Sequence, residues 1–494
     1  MRTTIAVIGA GLVAAASSHV EAAAVLTRHP YPQNVQQTQV TLMWRTATPA
    51  AQTVQFGTDT NFSSWMTESV LSTAHELTIT GLEPGKVYRY RIVENGATVV
   101  EGEDYTFRTD AGRADTDFSF FFTGDVGEDE MGQQHVTQAM IRRVSPRAEF
   151  GILPGDVVYP DGESSMYDSV LMKPWQPLLA NTAMWPALGN HDWHVDPDSN
   201  FCKEWSLPNN EHYYSFNYGN AHFIALDTAD GFLYDEVNQL AWLRADLASS
   251  ASRRATWRFV FYHHPLLTCT YKSNIPEVAA LLFPIFDEFK VDVVLTGHAH
   301  TYERLFPLKN GVPVNQEQNP NYQDPEGTLF VVSGCGAKIK ENEPTTYCGP
   351  TAAFVDMRIL FSQVFVYDHL LYIVTFDSAT GAVVDYVSIK KTPHPSDVTA
   401  APAAPRLLQN VPNPFNPSTS ISFELPAAGH VRMRVFRADG SWVTNLVDRA
   451  YGAGTHRVVW DGRDQNGAAV ASGPYIVRLQ ADGIAESIKM MLVR

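Results

Sequence analysis

At 494 residues the chain is too long for one hydrophobic core, and 45% hydrophobic with 18% charged residues is an ordinary globular balance with material for several. The formal net charge is -17, from 36 Lys and Arg against 53 Asp and Glu. Proteins that hold a polyanion stably do so by releasing counterions to clustered Lys and Arg; no such cluster is present, which argues against nucleic acid as a stably bound partner and leaves it open as a small or clipped substrate.

Residues 1–24 read as an export signal, with Arg2 as a minimal positive region, an apolar run from Ile5 to Ala16, and small residues at Ala22 to Ala24 for cleavage. Gly9-Ala10-Gly11 lacks the third glycine, following helix and βαβ unit that a dinucleotide site requires. No other stretch supplies the roughly 20 apolar residues of a membrane span, so a secreted, periplasmic or cell-surface protein is expected.

Residues 25–110 alternate as short strands between turns. Gln39 to Trp44 and Val87 to Ile92 are examples, the second following the turn at Glu83-Pro84-Gly85. With a buried Trp44 and a tyrosine-rich late strand, this segment resembles a fibronectin type III sandwich.

Between residues 117 and 391 apolar strands alternate with helical segments, as in an α/β core. Trp242, Leu243 and Leu247 recur at helical spacing and are expected to pack inward. Five apolar runs end in groups able to bind metal. Phe118 to Thr123 leads to Asp125, and Phe150 to Pro154 to Asp156 and Tyr159. Met184 to Leu188 leads to Asn190, His191 and Asp192; Trp257 to Tyr262 leads to His263; Val291 to Thr296 leads to His298 and His300. Open α/β sheets place their sites at the carboxyl ends of strands. Carboxylate, imidazole, amide oxygen and phenolate suit first-row metals such as iron, zinc and manganese. Seven ligands exceed one ion and fit two, roughly 3.5–4 Å apart, sharing a carboxylate.

The four cysteines, Cys202, Cys269, Cys335 and Cys348, fit an oxidising compartment and allow three pairings; proximity along the chain favours Cys335 with Cys348 and Cys202 with Cys269.

The ordered motifs GDxG, GDxxY, GNHD, VxxH and GHxH, followed by Tyr302-Glu303-Arg304, resemble the purple acid phosphatase branch of the metallophosphoesterases. The resemblance implies a multidomain fold. An α/β metallophosphoesterase sandwich, two sheets flanked by helices, would lie at 117–391 between two all-β Ig-like sandwiches. The first of these, at 25–110, would be the domain that precedes the catalytic one in plant-type members. The resemblance also implies Fe(III) on Asp125, Tyr159 and His300, and a divalent ion (Zn, Fe or Mn) on Asn190, His263 and His298, with Asp156 bridging. A trivalent cation stabilises the Tyr159 phenolate and so gives the family its colour. Hydrolysis would proceed through a metal-bound hydroxide. His191 would contact phosphate or protonate the leaving oxygen, its ring oriented by Asp192. One departure stands out: Leu266 to Asn274 contains none of the later histidines of plant and mammalian members, only Tyr271 and Lys272 as polar candidates. His264, by strand alternation, is expected to point away. His194 lies close enough in sequence to reach the pocket, and His222, within a strand, is expected to be structural.

Residues 392–405 form a Pro- and Ala-rich linker. Residues 406–494 are again all-β. Asn410 to Pro417, Trp460-Asp461-Gly462 and Ser472 to Tyr475 resemble the FlgD-like Ig-type domain of exported bacterial proteins, which implies contact with the cell surface or secretion machinery. The Asp and Asn residues of Asp461 to Asn466 fit either calcium or Asx turns. The expected activity is that of an acid phosphatase acting on a small phosphate monoester. A phosphodiesterase of the same superfamily and a non-catalytic surface-binding protein are the alternatives. Preference would reside in loops such as Asp196 to Asn217 and Pro307 to Gly327. That all seven ligand positions are filled favours an enzyme.

Overall fold

The computed structural model describes residues 23–492 except 114–115, 129–133, 145–146, 229–230, 271, 273–274, 317–319, 340–347, 393–403, 409, 411–412, 414, 416 and 438–439. The expected export signal, nearly all of the expected linker, and Tyr271 lie outside the described residues.

Two seven-stranded sheets build the middle of the chain. One runs, edge to edge, through Ala183–Ala187, Phe150–Pro154, Asp117–Phe122, Leu360–Tyr367, Leu370–Asp377, Val383–Lys390 and Asn321–Gln323. The other runs through Tyr214–Tyr218, Ala221–Ala225, Trp257–Phe261, Val293–Thr296, Leu329–Ser333, Tyr302–Leu305 and Thr351–Val355. The first three strands of the first sheet are parallel, as are Ala221–Ala225 through Leu329–Ser333 in the second. Parallel strands are covered on both faces and so read as unbroken apolar runs; Phe150–Pro154 and Val293–Thr296 are buried at every position.

Period-2 alternation decides which layer each side chain joins. Phe259, Phe261, Val293 and Leu295 face the opposing sheet, while Val260, Tyr262 and Val294 face the outer helices. Between the sheets the ring of Phe120 meets Phe223 and Phe259 edge-on, with centroids 5.2 Å apart in both cases. Outside, helix Pro276–Phe289 starts on a proline, whose missing N–H costs nothing in a first turn. It buries Val278, Leu282, Ile285 and Phe286 as one stripe and stops where Lys290 turns left-handed, φ 52°. In helix Glu236–Leu247, Leu243 and Leu247 are buried and Trp242 packs beside them, as their spacing predicts.

The N-terminal sandwich pairs Leu26–Gln33, Gln39–Ala50 and Ser72–Thr80 against a sheet built on Thr53–Gly57 and Val87–Glu94. Trp44 is buried in its core, where it stacks on His75 and donates to Gln52 Oε1 at 2.7 Å. Arg28 and Arg45 reach from this sandwich to Glu204, a fully buried carboxylate of the middle region, and Arg28 also pairs with Asp168 at 2.6 Å. The C-terminal sandwich closes over Phe423, Met433, Trp460 and Val477. There Asp464 accepts the N–H groups of Asn466 and Ala468, both at 2.9 Å, so an Asx turn accounts for this carboxylate.

The cysteine pairing differs from expectation. Cys269 is bonded to Cys348, 79 residues away with Cα atoms 4.8 Å apart, and Cys202 and Cys335 are free thiols. Cys335 follows the strand Leu329–Ser333 and turns into the core between the sheets, so its nearness to Cys348 in sequence brings no approach of side chains.

Candidate metal centre

Asp125, Asp156, Asn190, His263 and His298 each lie two or three residues beyond a parallel strand, all at the same end of the two sheets. Strand ends alone do not aim them. Asp125, Asp156 and His298 have left-handed backbone, φ 58°, 52° and 64°. Such a conformation costs about 1–3 kcal/mol in a non-glycine residue and persists only where the surroundings over-determine it. The adjacent glycines make the crowding tolerable: a Cβ on Gly189 would lie 2.1 Å from Asp156 N, and one on Gly155 2.3 Å from His263 Nδ1.

The seven sequence-predicted donors come together as two groups meeting at Asp156. In one, Asn190 Oδ1 is 3.2 Å from His263 Nε2 and 3.0 Å from His298 Nδ1, which is itself 3.2 Å from His263 Nε2. In the other, Tyr159 Oη donates to Asp125 Oδ1 at 2.9 Å, and His300 Nε2 is 3.4 Å from the same oxygen. Asp156 faces both: its Oδ1 is 3.3 Å from His263 Nε2, and its Oδ2 accepts from Tyr159 Oη at 2.8 Å.

These separations bear directly on metal binding. Ligand bonds of about 2.0–2.1 Å in tetrahedral or octahedral geometry place neighbouring donors about 3.0–3.4 Å apart. The Asn190, His263 and His298 triangle has those edges, and the mixed O and N donors of both groups suit first-row metals. His263 Nδ1–H donates to the Pro154 carbonyl at 2.9 Å, which fixes the tautomer that leaves Nε2 facing the other donors. The residues therefore fit a pair of ions.

The electrostatics agree. Burial opposes charge on His263, but the carboxylate of Asp156 and the hydrogen bond between them push it up to about 9. Burial would raise Asp156, yet His263 and His191 hold it well below the usual carboxylate range. Burial and the charge of His263 lower His298, keeping its lone pair free, and burial with the charges of Asp125 and Asp156 raises the Tyr159 hydroxyl.

The surrounding residues revise several expectations. Asp192 does not orient His191. Its carboxylate accepts the backbone N–H of Gly189 at 2.9 Å and of Val157 at 3.2 Å, so it braces the two loops that carry Asn190 and Asp156. The position of Asp192 in the first turn of the short helix Asn190–Trp193 explains this, because a first-turn carboxylate folds back onto exposed N–H groups. The His191 ring is held instead by the Pro160 carbonyl at 2.5 Å, leaving Nε2 3.9 Å from Asp156 Oδ2. His264 does not point away: its ring lies 4.1 Å from that of His298, and its nitrogen belongs with those of His263 and His298. Alternation fails because the strand ends at Phe261 and both histidines lie in the following bend. His194 meets the His191 ring edge-on, with centroids 4.7 Å apart, and pairs with Asp161 at 2.8 Å. His222 is structural, bonded to Asn217 and Asp246. Burial and the charge of His263 lower both His264 and His298, and Lys272 adds to this. Glu303 accepts the Cys269 N–H at 2.9 Å and Arg304 pairs with Asp385 at 2.7 Å, so these two brace loops.

One residue at the centre carried no sequence signal. Lys338 places its ammonium 4.1 Å above the Tyr159 ring and pairs with Glu128 at 2.7 Å. It belongs to no motif, and only the return of the chain after Leu329–Ser333 brings it there.

Comparison with known proteins gives three family matches in chain order. Residues 27–109 match the purple acid phosphatase N-terminal domain, 118–302 the calcineurin-like phosphoesterases, and 410–483 the FlgD Ig-like domain. Purple acid phosphatase 18 of Arabidopsis thaliana is 28% identical over 298 residues, 57% of this chain and 61% of that protein. Acid phosphatase type 7 of Homo sapiens is 24% identical over 332 residues, 60% of this chain and 74% of that one. The chain spans about three fifths of the length of the Arabidopsis relatives it matches. Among solved structures, purple acid phosphatase PPD1 of yellow lupin (Lupinus luteus) superposes with TM-score 0.63 at 19% identity, covering 74% of this chain and 75% of that one. PhoD superposes with TM-score 0.53 at 15% identity, covering 74% and 94%. The chain thus has a metallophosphoesterase fold, purple acid phosphatase-like in its first two parts, with a FlgD-like Ig-type domain after them.

Proposed function

We propose that this chain is an exported binuclear-metal acid phosphatase hydrolysing phosphate monoesters. Asp125, Tyr159 and His300 hold ferric iron, Asn190, His263 and His298 hold a divalent ion (zinc, iron or manganese), and Asp156 is shared. The observation that carries the proposal is the pair of donor groups facing the two oxygens of one buried carboxylate. A metal pair bound there supplies Lewis-acid stabilisation of phosphoryl charge and makes hydroxide accessible near neutral pH. The protein's own groups do the rest. His191, partly exposed beside Asp156, presents Nε2 to a bound phosphate and, as imidazolium, donates its proton to the leaving oxygen. Lys338 adds positive charge over the Tyr159 ring, and Lys272 adds it near His298. His264 stands beside His298 where the chain lacks later histidines.

Export is supported by the sequence of residues 1–24, and a role in surface attachment or secretion by the match at 410–483. Among the described residues no helix is long and apolar enough to cross a membrane. The test is to purify the protein, determine bound metals and the visible spectrum, and assay aryl phosphate monoesters against diesters. We expect iron with a divalent metal, a visible band abolished in Tyr159→Phe, and faster monoester hydrolysis. Absence of metal, or undiminished hydrolysis by Asp156→Asn, would refute the proposal.

A further inference from the structure

Outside the centre just described, the segment after the helix Asn190–Trp193 builds a second convergence of metal-binding side chains. The short 3-10 turn Pro197–Ser199 presents Asp198, and the helical turn Phe201–Glu204 presents Cys202. The bend before strand Tyr214–Tyr218 presents His212. One ligand atom from each lies within 4.8 Å of the other two. His212 is fixed at both ring nitrogens. Asp227, just beyond strand Ala221–Ala225, is 2.8 Å from Nδ1, and Asp198 is 3.0 Å from Nε2. The ring is clamped by Tyr234, stacked at 4.3 Å, and by Trp193 at 5.6 Å.

We propose that Asp198, Cys202 and His212 form a second, mononuclear site for a zinc-class divalent cation, with one position left to water. Sulfur, imidazole nitrogen and carboxylate oxygen are the donor types zinc takes, and three protein ligands with an open fourth position is one of its common arrangements. Asp227 on Nδ1 is the carboxylate that orients a ligating histidine and leaves Nε2 for the metal. Charge supports the assignment. Among the described residues the ion-pair partner of Asp198 is His212, with no Lys or Arg on it. On binding, the ion replaces two protons, those of the Cys202 thiol and of His212 Nε2, and both pass to solvent.

The location gives the site a consequence. Trp193 donates from Nε1 to Asp227 Oδ1 at 3.1 Å, and Trp193 ends the helix that begins at Asn190. An ion here would tie the loop 194–212 to the turn carrying Asn190 and His191.

The test uses the full chain, stripped with chelator and titrated with cobalt(II) or zinc(II). The dinuclear donor set contains no thiolate, Cys269 and Cys348 are in a disulfide and Cys335 is buried in the core between the sheets, so a cobalt–thiolate charge-transfer band lost in Cys202→Ser reports this site and is independent of the reaction proposed above. We expect the band in the unaltered protein, its loss in Cys202→Ser with one zinc fewer per chain, and affinity about 10–100-fold weaker in Asp227→Asn. Asp198→Asn changes an exposed side chain, keeps the fold testable if Cys202→Ser does not fold, and is expected to weaken binding about ten-fold or more. No band in the folded protein, equal zinc content in Cys202→Ser, or a band unaltered in both Asp198→Asn and His212→Gln would overturn the proposal.

Discussion

Gly189→Ala isolates how closely the centre is packed. Gly189 is not in a left-handed conformation, so alanine is acceptable to its backbone, and only space is at issue. The new Cβ would stand 2.1 Å from Asp156 N and 2.2 Å from Asp156 Oδ1. Since real Cβ contacts essentially never fall under 3.0 Å, the two loops must separate by at least 0.9 Å (3.0 less 2.1). The neighbour that must yield is backbone next to the shared carboxylate, not the end of a flexible side chain. Misplacement of reacting groups by about 1 Å costs on the order of 100-fold in rate, or about 2.7 kcal/mol of barrier. We therefore expect Gly189→Ala to lower kcat for an aryl phosphate at least about 100-fold and to reduce bound metal. The far-ultraviolet circular dichroism should be unchanged. Gly452→Ala, which meets nothing within 4 Å, is the control. Full activity and full metal content in Gly189→Ala would refute the tight apposition of the Asp156 and Asn190 loops.

Three further outcomes follow from buried chemistry away from the centre. Arg28→Met leaves the Glu204 carboxylate, which is 0% exposed, with Arg45 as its remaining cation. Removing one partner of a buried pair costs about 3–5 kcal/mol; the presence of Arg45 places this case at the lower end, to be read from urea unfolding. Replacing both Cys269 and Cys348 by serine opens a loop of 79 residues, which chain entropy values at about 4.5 kcal/mol, so the melting temperature of the non-reduced protein should fall and reductant should no longer affect it. Glu211 is held up at about 7 from 4.5, chiefly by burial. The unfolded chain ionises first, so Glu211 stabilises nothing below pH 4.5 and costs stability as pH rises from 4.5 towards 7. Metal-stripped Glu211→Gln should gain melting temperature relative to the parent at pH 8 and not at pH 4.

Much of the centre could be read from the chain because its chemistry is local to strand exits. A glycine beside a carboxylate, amide or histidine after an apolar run marks a sharp turn out of a buried parallel strand, and all seven expected donors converge. What depended on direction was harder to read. Alternation holds only while the strand lasts, so His264, three residues beyond the end of Trp257–Phe261, escaped it. Asp192 follows helix-start geometry and folds onto N–H groups, not onto the neighbouring ring. The Cys269–Cys348 bond, the buried Arg28–Glu204 pair and the position of Lys338 all join segments far apart in sequence, and no spacing rule encodes them. The grouping of Asp198, Cys202 and His212 belongs with these, since only the folding of one irregular loop brings it about.

The measurement closest to the central claim is an anomalous-dispersion map recorded at the metal edges on crystals of the native protein. The account predicts two peaks roughly 3.5–4 Å apart, one on either side of the Asp156 carboxylate, with iron on the Tyr159 side. A single peak, or peaks that leave Asp156 outside the ligand shell, would contradict it.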